Sequence, residues 1–370
     1  MKLLYVNIGR PTISGATTTV KELLSRLPDY GIEVGLIEVV SKKEAGLLDT
    51  FPDLKNKVKL EDKIVLPSDS KQYRLIRKIY LSTIFKNRIN KISRKYDFVI
   101  GASTRNSINM IYTEPFIFHP LWKFYMELIK KTNPIDGTFW FISSISNLKR
   151  YRKNKNNICA GLILSNSLKE NYGIDCYPMD PPAGVDLESA RRAKPLMDLD
   201  AIQVSRVGFM KGTHDTIEVM KRLKEKGYNK LAIAGPIDHD FNLEEKIKDT
   251  GISYLGEVSR DMIFSTMKSG KVFIYPTYID SFGIVVAEAL ACGVPVVTYD
   301  IPAMTHYYGK CDAVRIVKTG NVEEMTRETL NILSNYEKYS KIALECSEMF
   351  SWEYTVSSFI GILDKTKNEI

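Results

Sequence analysis

Two carboxylates, Asp280 and Glu288, stand with seven residues between them in Asp280-Ser-Phe-Gly283-Ile-Val-Val-Ala-Glu288-Ala-Leu-Ala-Cys292-Gly293-Val-Pro295-Val-Val. The run reads as loop, helix, glycine C-cap and strand, with an apolar strand (272–275) before it. A helix start carries amides without intrahelical partners, and Gly283 lets a ligand approach the backbone closely; together they make an anion site at Phe282, Gly283, Ile284 and Val285. Glu288 lies about 9 Å along the axis at ~1.5 Å per residue. Asp280 stands on the loop in front. Carboxylates on either side of a phosphate-binding helix start can hold hydroxyls at both ends of a nucleotide-diphosphate sugar. Two cations, Arg206 and Lys211, follow another apolar strand (201–204).

The elements that must position these groups alternate between strand and helix patterns, the signature of βαβ units and parallel sheets. In the first half, strands are expected at 3–7, 32–40, 98–100 and 116–118, with a helix over 20–27. Pro181-Pro-Ala-Gly184 marks a linker. Strands at 201–204, 230–234, 253–255, 272–275 and 294–298 then alternate with helices at 213–226, 260–268 and 282–291, and a last helix starts near 351. The fold class is α/β, with an N-terminal domain over 1–185 and a C-terminal one over 186–351.

The stretch from Asp280 to Val297 resembles the Glu-(seven residues)-Glu signature of retaining GT-B glycosyltransferases of family 4. Asp280 replaces the usual Glu and is one methylene shorter. Val204-Ser-Arg206-Val-Gly-Phe-Met-Lys211-Gly212 resembles the family's Gly-Arg-(four residues)-Lys-Gly, with Ser205 for the first Gly. Pro182-Ala-Gly184-Val-Asp186 resembles its interdomain motif, and Phe350-Ser-Trp352 its terminal one. Ile13-Ser-Gly15 resembles the glycine loop after the first strand, and Phe116-Ile-Phe-His119 a strand ending in a histidine near the reacting carbon. The resemblance implies two doubly wound Rossmann-like domains facing across a cleft, with helix 352–370 crossing back to the first. It implies a catalytic set of Arg206, Lys211, Asp280 and His119. Asp280 would hold the donor sugar's hydroxyls and Glu288 the ribose, with Gly15, Gly283, Ile284 and Val285 on the donor. It further implies retention of configuration, a same-face mechanism, and no metal and no cofactor beyond the nucleotide-diphosphate sugar itself.

Composition is that of an ordinary globular protein: 370 residues, 44% hydrophobic and 26% charged, which excludes a disordered or low-complexity chain. The five cysteines, widely spaced and without Cys-x-x-Cys, suit a reduced cytosolic compartment and neither a disulfide scaffold nor a zinc site. Asp198-x-Asp200 and Asp238-x-Asp240 are metal-like tripeptides that an Asp-rich chain yields by chance. Residues 1–185 carry 29 Lys/Arg against 17 Asp/Glu, a balance of +12; residues 186–370 carry 23 against 27, a balance of −4. Nine of those basic residues fall in 71–96, without an acidic one and with apolar residues at helical spacing, the pattern of a membrane-surface helix. The expected partners are therefore a nucleotide-sugar donor and an anionic membrane surface or lipid-linked acceptor at the cytoplasmic face, with no nucleic acid. Epimerase-like nucleotide-sugar chemistry, an anion- or nucleic-acid-binding role and a catalytically silent sugar binder stay open.

Overall fold

The computed structural model describes residues 1–8, 15–42, 44–66, 85–102, 104, 106–111, 145, 147–154 and 156–368. The chain divides into two compact units, one of Met1–Asp180 with Val356–Ile370, the other of Pro181–Thr355. The boundary falls at Pro181, the first residue of the Pro-Pro-Ala-Gly run. The helix Trp352–Asn368 begins in the second unit and continues into the first.

Unit 1 is built on a seven-stranded sheet of order β3-β2-β1-β4-β5-β6-β7. Its strands are β1 (Lys2–Ile8), β2 (Glu33–Ser41), β3 (Lys59–Leu66), β4 (Phe98–Ile100), β5 (Ser107–Ile111), β6 (Asn157–Ala160) and β7 (Tyr177–Met179). Unit 2 has a six-stranded sheet, β10-β9-β8-β11-β12-β13. Its strands are β8 (Ala201–Val204), β9 (Leu231–Ala234), β10 (Ser253–Tyr254), β11 (Phe273–Tyr275), β12 (Val296–Tyr299) and β13 (Val314–Val317). Every strand pair is parallel, for example Leu3 opposite Phe98 and Tyr275 opposite Thr298. Parallel strands are covered on both faces and read as continuous apolar runs. So β8, β9, β11 and β12 are buried at every residue.

The two units have separate cores. In unit 1, Leu3, Leu36 and Phe98 pack with Val356, Phe359, Ile362 and Leu363 of the final helix. On another cluster of the same unit, Ile89 and Tyr96 pack with Leu4, Val39 and Val99. The described part of the basic segment is thus a helix, Lys86–Ser93, whose apolar stripe is core. Its Arg88 pairs with Asp62 at 2.6 Å. For these residues the apolar face does not serve a membrane; residues 71–84 lie outside the described residues.

In unit 2, Val185 pairs with Ser351 and its amide donates to the Phe350 carbonyl at 2.8 Å. A Cβ on Gly184 would lie 2.6 Å from the Trp352 Cα, so only glycine allows this approach. The two motifs at 181–186 and 350–352 meet here.

The cysteine expectation is corrected. Cys159 and Cys176 form a disulfide, as do Cys311 and Cys346, each pair with Cα atoms 6.0 Å apart. Separations of 17 and 35 residues carry no pairing signal. Pairing arises because β6 and β7 are sheet neighbours and because the Cys311 turn meets the helix Tyr336–Ser347. Cys292 alone stays a thiol.

Candidate functional site

The residues singled out after position 200 gather at the carboxyl ends of β8, β9 and β11, which are sheet neighbours. β8 delivers Ser205 and Arg206. Gly235, after β9, has φ +131° and passes so close to Ser205 that a Cβ would lie 1.9 Å from the Ser205 carbonyl oxygen. Arg206 is largely exposed, and its Nη1 lies 3.4 Å from Asp238 Oδ1. Burial raises the Asp238 carboxyl above its ordinary value, opposed by the Arg206 charge and, further off, by Lys211.

Lys211 closes a 3-10 turn, Phe209–Lys211, that Gly212 turns into the helix Thr213–Glu225. Gly212 has φ +65°, and a Cβ there would sit 1.9 Å from the Pro276 carbonyl oxygen. This close approach brings Lys211 to the loop after β11. Its Nζ donates to Asp280 Oδ2 at 2.6 Å and to the Ile279 carbonyl at 3.2 Å. Tyr275 Oη donates to the same Oδ2 at 2.7 Å. Asp280 Oδ1 accepts from the amides of Phe282 (3.2 Å) and Gly283 (2.8 Å). Burial alone would push the Asp280 carboxyl up. The Lys211 charge and the bonds from Lys211, Tyr275 and the Phe282 amide outweigh it and hold the group at about 2. Lys211 is correspondingly raised: burial opposes its charge, but Asp280 more than offsets it.

The helix expected over 282–291 is Ile284–Ala291, with Gly283 as a left-handed N-cap at φ +74°. The Asp280 side chain holds the two preceding amides, so Ile284 and Val285 supply the helix's own first donors. Glu288 is 1% exposed and is met by the Arg260 guanidinium. Burial, and after it the neighbouring Asp280 and Glu288 charges, raise the Tyr308 hydroxyl well above its ordinary value, and that hydroxyl donates to the Gly283 carbonyl at 3.2 Å.

A second network braces the turn. Tyr278 and Tyr299 both donate to Asp215 Oδ2, at 2.6 and 2.7 Å. Phe209 stacks over His214 and Tyr278 with centroids 4.9 and 5.6 Å away. Arg260, Tyr275, Tyr278 and Asp215 were not singled out from sequence. Tyr275 ends the expected strand 272–275 and Tyr278 stands two residues before Asp280, whereas Arg260 has only its place at the start of an expected helix.

His119 lies outside the described residues, and Gly15 opens the helix Gly15–Arg26 of unit 1. Unit 1 has its own cavity of about 1060 Å³, lined by Tyr5 and Ile108 and by Lys149, Arg150, Arg152 and Lys153. Asp198 and Asp200 sit at the amino end of β8, away from the carboxyl edge. Asp198 pairs with Lys230 and Lys271 there. Among the described residues no group of three or more His, Cys, Asp or Glu is arranged to hold a metal.

Residues 185–345 match the family glycosyl transferases group 1. The matched residues lie within the second unit, Pro181–Thr355. The chain is 26% identical to the sulfoquinovosyl transferase of Arabidopsis thaliana over 210 residues, 54% of this chain and 40% of that one. It is 28% identical to O-antigen chain mannosyltransferase B of Escherichia coli over 123 residues, 32% of each. The match thus spans less than half the length of either relative. Among solved structures, sucrose-phosphate synthase from Thermosynechococcus elongatus superposes with TM-score 0.74 at 12% identity, covering all of both chains. The Anabaena protein HepE in complex with UDP and glucose superposes with TM-score 0.68 at 14% identity, covering 99% of this chain and 100% of that one. Two Rossmann-like parallel sheets with these likenesses are the GT-B fold.

Proposed function

We propose that the protein is a retaining glycosyltransferase that moves a sugar from a nucleotide-diphosphate sugar to an acceptor. The observation that carries this reading is the βαβ segment of unit 2, where a cation held by a buried carboxylate adjoins a helix start. On a bound donor, Lys211 and Arg206 meet the diphosphate, the Ile284 and Val285 amides meet sugar and phosphate oxygens, and Glu288 accepts from the ribose hydroxyls. As the sugar–phosphate bond breaks, charge grows on the leaving diphosphate, and these preorganised donors stabilise it. They take the charge role a metal would otherwise hold, so the reaction proceeds without one. The leaving phosphate then accepts the acceptor's proton on the same face of the sugar, and His119 and Gly15 stay candidates by resemblance alone. The HepE structure, with UDP and glucose bound, supports a uridine nucleotide as the first donor to try.

The acceptor reading rests on charge. The first half carries the +12 balance, and four basic side chains line the unit 1 cavity. A phosphate-bearing acceptor, lipid-linked at the cytoplasmic membrane face, satisfies both. No helix among the described residues is long and apolar enough to cross a membrane, so such contact would be peripheral.

Thermal-shift titration with UDP-, GDP- and ADP-sugars tests the donor reading. A donor at 100 times its dissociation constant stabilises the protein by about 2.7 kcal/mol. No shift with any of the three, and no sugar transfer, would overturn it.

A further inference from the structure

We propose that Asp280 is a positioning residue that fixes Lys211 and the helix start, and that it does not accept the donor sugar's hydroxyls. This rests on reading unit 2 as a nucleotide-sugar site. An ionised carboxylate offers about four lone-pair sites. Here four donors hold them: Lys211 and Tyr275 on Oδ2, and the amides of Phe282 and Gly283 on Oδ1. A sugar hydroxyl would have to displace one of these. Each is expensive to lose, because Asp280 and Lys211 are mostly shielded from water, with side chains 17% and 23% exposed.

The shorter side chain explains the arrangement. Asp, unlike Glu, folds back onto amides two and three residues ahead, the ordinary Asx geometry. That leaves its second oxygen facing Lys211, 69 residues earlier in the chain. The lysine gains a fixed place. Two of its three protons go to Asp280 and the Ile279 carbonyl, and the ammonium lies 5.5 Å from the Tyr275 ring centroid. The Tyr275 hydroxyl also lies within reach of the ammonium, so a ligand oxygen would compete with it for the third proton. Asp280 therefore acts on the diphosphate through Lys211. Sugar hydroxyls fall to other donors and acceptors, so this carboxylate discriminates poorly between donor sugars.

Two measurements test the assignment. The first needs no ligand: the rate at which an amine-reactive acetylating reagent modifies Lys211, followed by peptide mass spectrometry. Asp280→Asn keeps an oxygen for the Phe282 and Gly283 amides and turns an NH2 group toward the lysine. Its loss of charge lets the buried Lys211 pKa fall, and each unit of fall multiplies the free amine about tenfold. Asp280→Glu, which keeps the charge, restores most of the protection. Unchanged labelling of Lys211 in Asp280→Asn overturns the proposal. The second is calorimetry with UDP and UDP-glucose. Asp280→Asn weakens both by the same factor, about tenfold to a hundredfold for a bond to a charged group. Adding it to Lys211→Met costs nothing further. A loss confined to UDP-glucose, or additive losses in the double variant, overturns the proposal. If wild-type protein binds neither probe, nor the GDP and ADP equivalents, the donor reading fails, while the labelling result still decides what Asp280 does.

Discussion

Lys211 is the side chain on which the donor site turns. On the proposed donor reading it meets charge that grows in the transition state, so Lys211→Ala should lower kcat by on the order of 10²-fold, as for a lost oxyanion donor. Steady-state kinetics with the fold checked by circular dichroism reads this out. Glu288→Gln should instead weaken nucleoside diphosphate and intact donor alike, because its proposed partner is the ribose; calorimetry with both ligands checks it. Acid stability follows from Asp280. Its carboxyl is held at about 2 in the folded protein against ~3.9 unfolded. The stabilisation is present above the unfolded value and is lost as pH falls through about 2. Asp280→Asn should therefore flatten the acid limb of an unfolding curve between about pH 4 and pH 2, by up to ~2 kcal/mol. The carboxylates and cations themselves are legible in sequence from type and spacing. Their pairings are not: nothing local says that Asp280 would hold Lys211, or that Arg260 would meet Glu288, since both bonds span elements.

At the scale of elements, Gly212 decides whether the clamp forms. Gly212→Ala places a Cβ against the Pro276 carbonyl oxygen at a left-handed backbone position. That should cost at least ~1–3 kcal/mol of stability, measurable as a lowered denaturant midpoint, and any folded remainder should bind nucleotide weakly. The buried strands β8, β9, β11 and β12 and the helix Thr213–Glu225 are readable because a strand covered on both faces is a short apolar run. β3 is not, since Lys59, Glu61, Asp62 and Lys63 interrupt the pattern on an edge strand. β13 hides for a similar reason, carrying Arg315, which pairs with Glu328 at 2.9 Å, at the other sheet's edge. The helix Ile284–Ala291 begins two residues later than its pattern suggests, because Asp280 takes the amides of Phe282 and Gly283.

For the molecule as a whole, the two halves differ in charge, and the acceptor hypothesis depends on it. Each Lys or Arg near an anionic surface contributes ~1 kcal/mol. The protein should co-sediment with anionic vesicles at low salt, release as salt rises, and bind less when Arg74, Arg77 and Lys78 are changed to Glu. Protein left in the supernatant at low salt would refute the membrane contact and leave the donor site untouched. The packing of Ile89 and Tyr96 into the unit 1 core leaves the helix Lys86–Ser93 only its exposed basic face, with Lys86 and Lys91, for such contact.

Unit 1 is discontinuous in sequence, and that sets the order in which the protein can be made. Leu3, Leu36 and Phe98 leave the ribosome early, but their packing partners Val356, Phe359, Ile362 and Leu363 come last. Unit 2 is contiguous and has its full core once residue 355 has emerged. At ~5–20 residues per second, the 176 residues from 180 to 356 take roughly 9–35 s to synthesise. During that interval one apolar face of the first sheet is only partly covered, by Val20, Leu23 and Leu24 of the helix Gly15–Arg26, and lacks the final helix. The later unit therefore completes first, the reverse of the usual vectorial order, and the nascent N-terminal half is the part of this chain most in need of a chaperone.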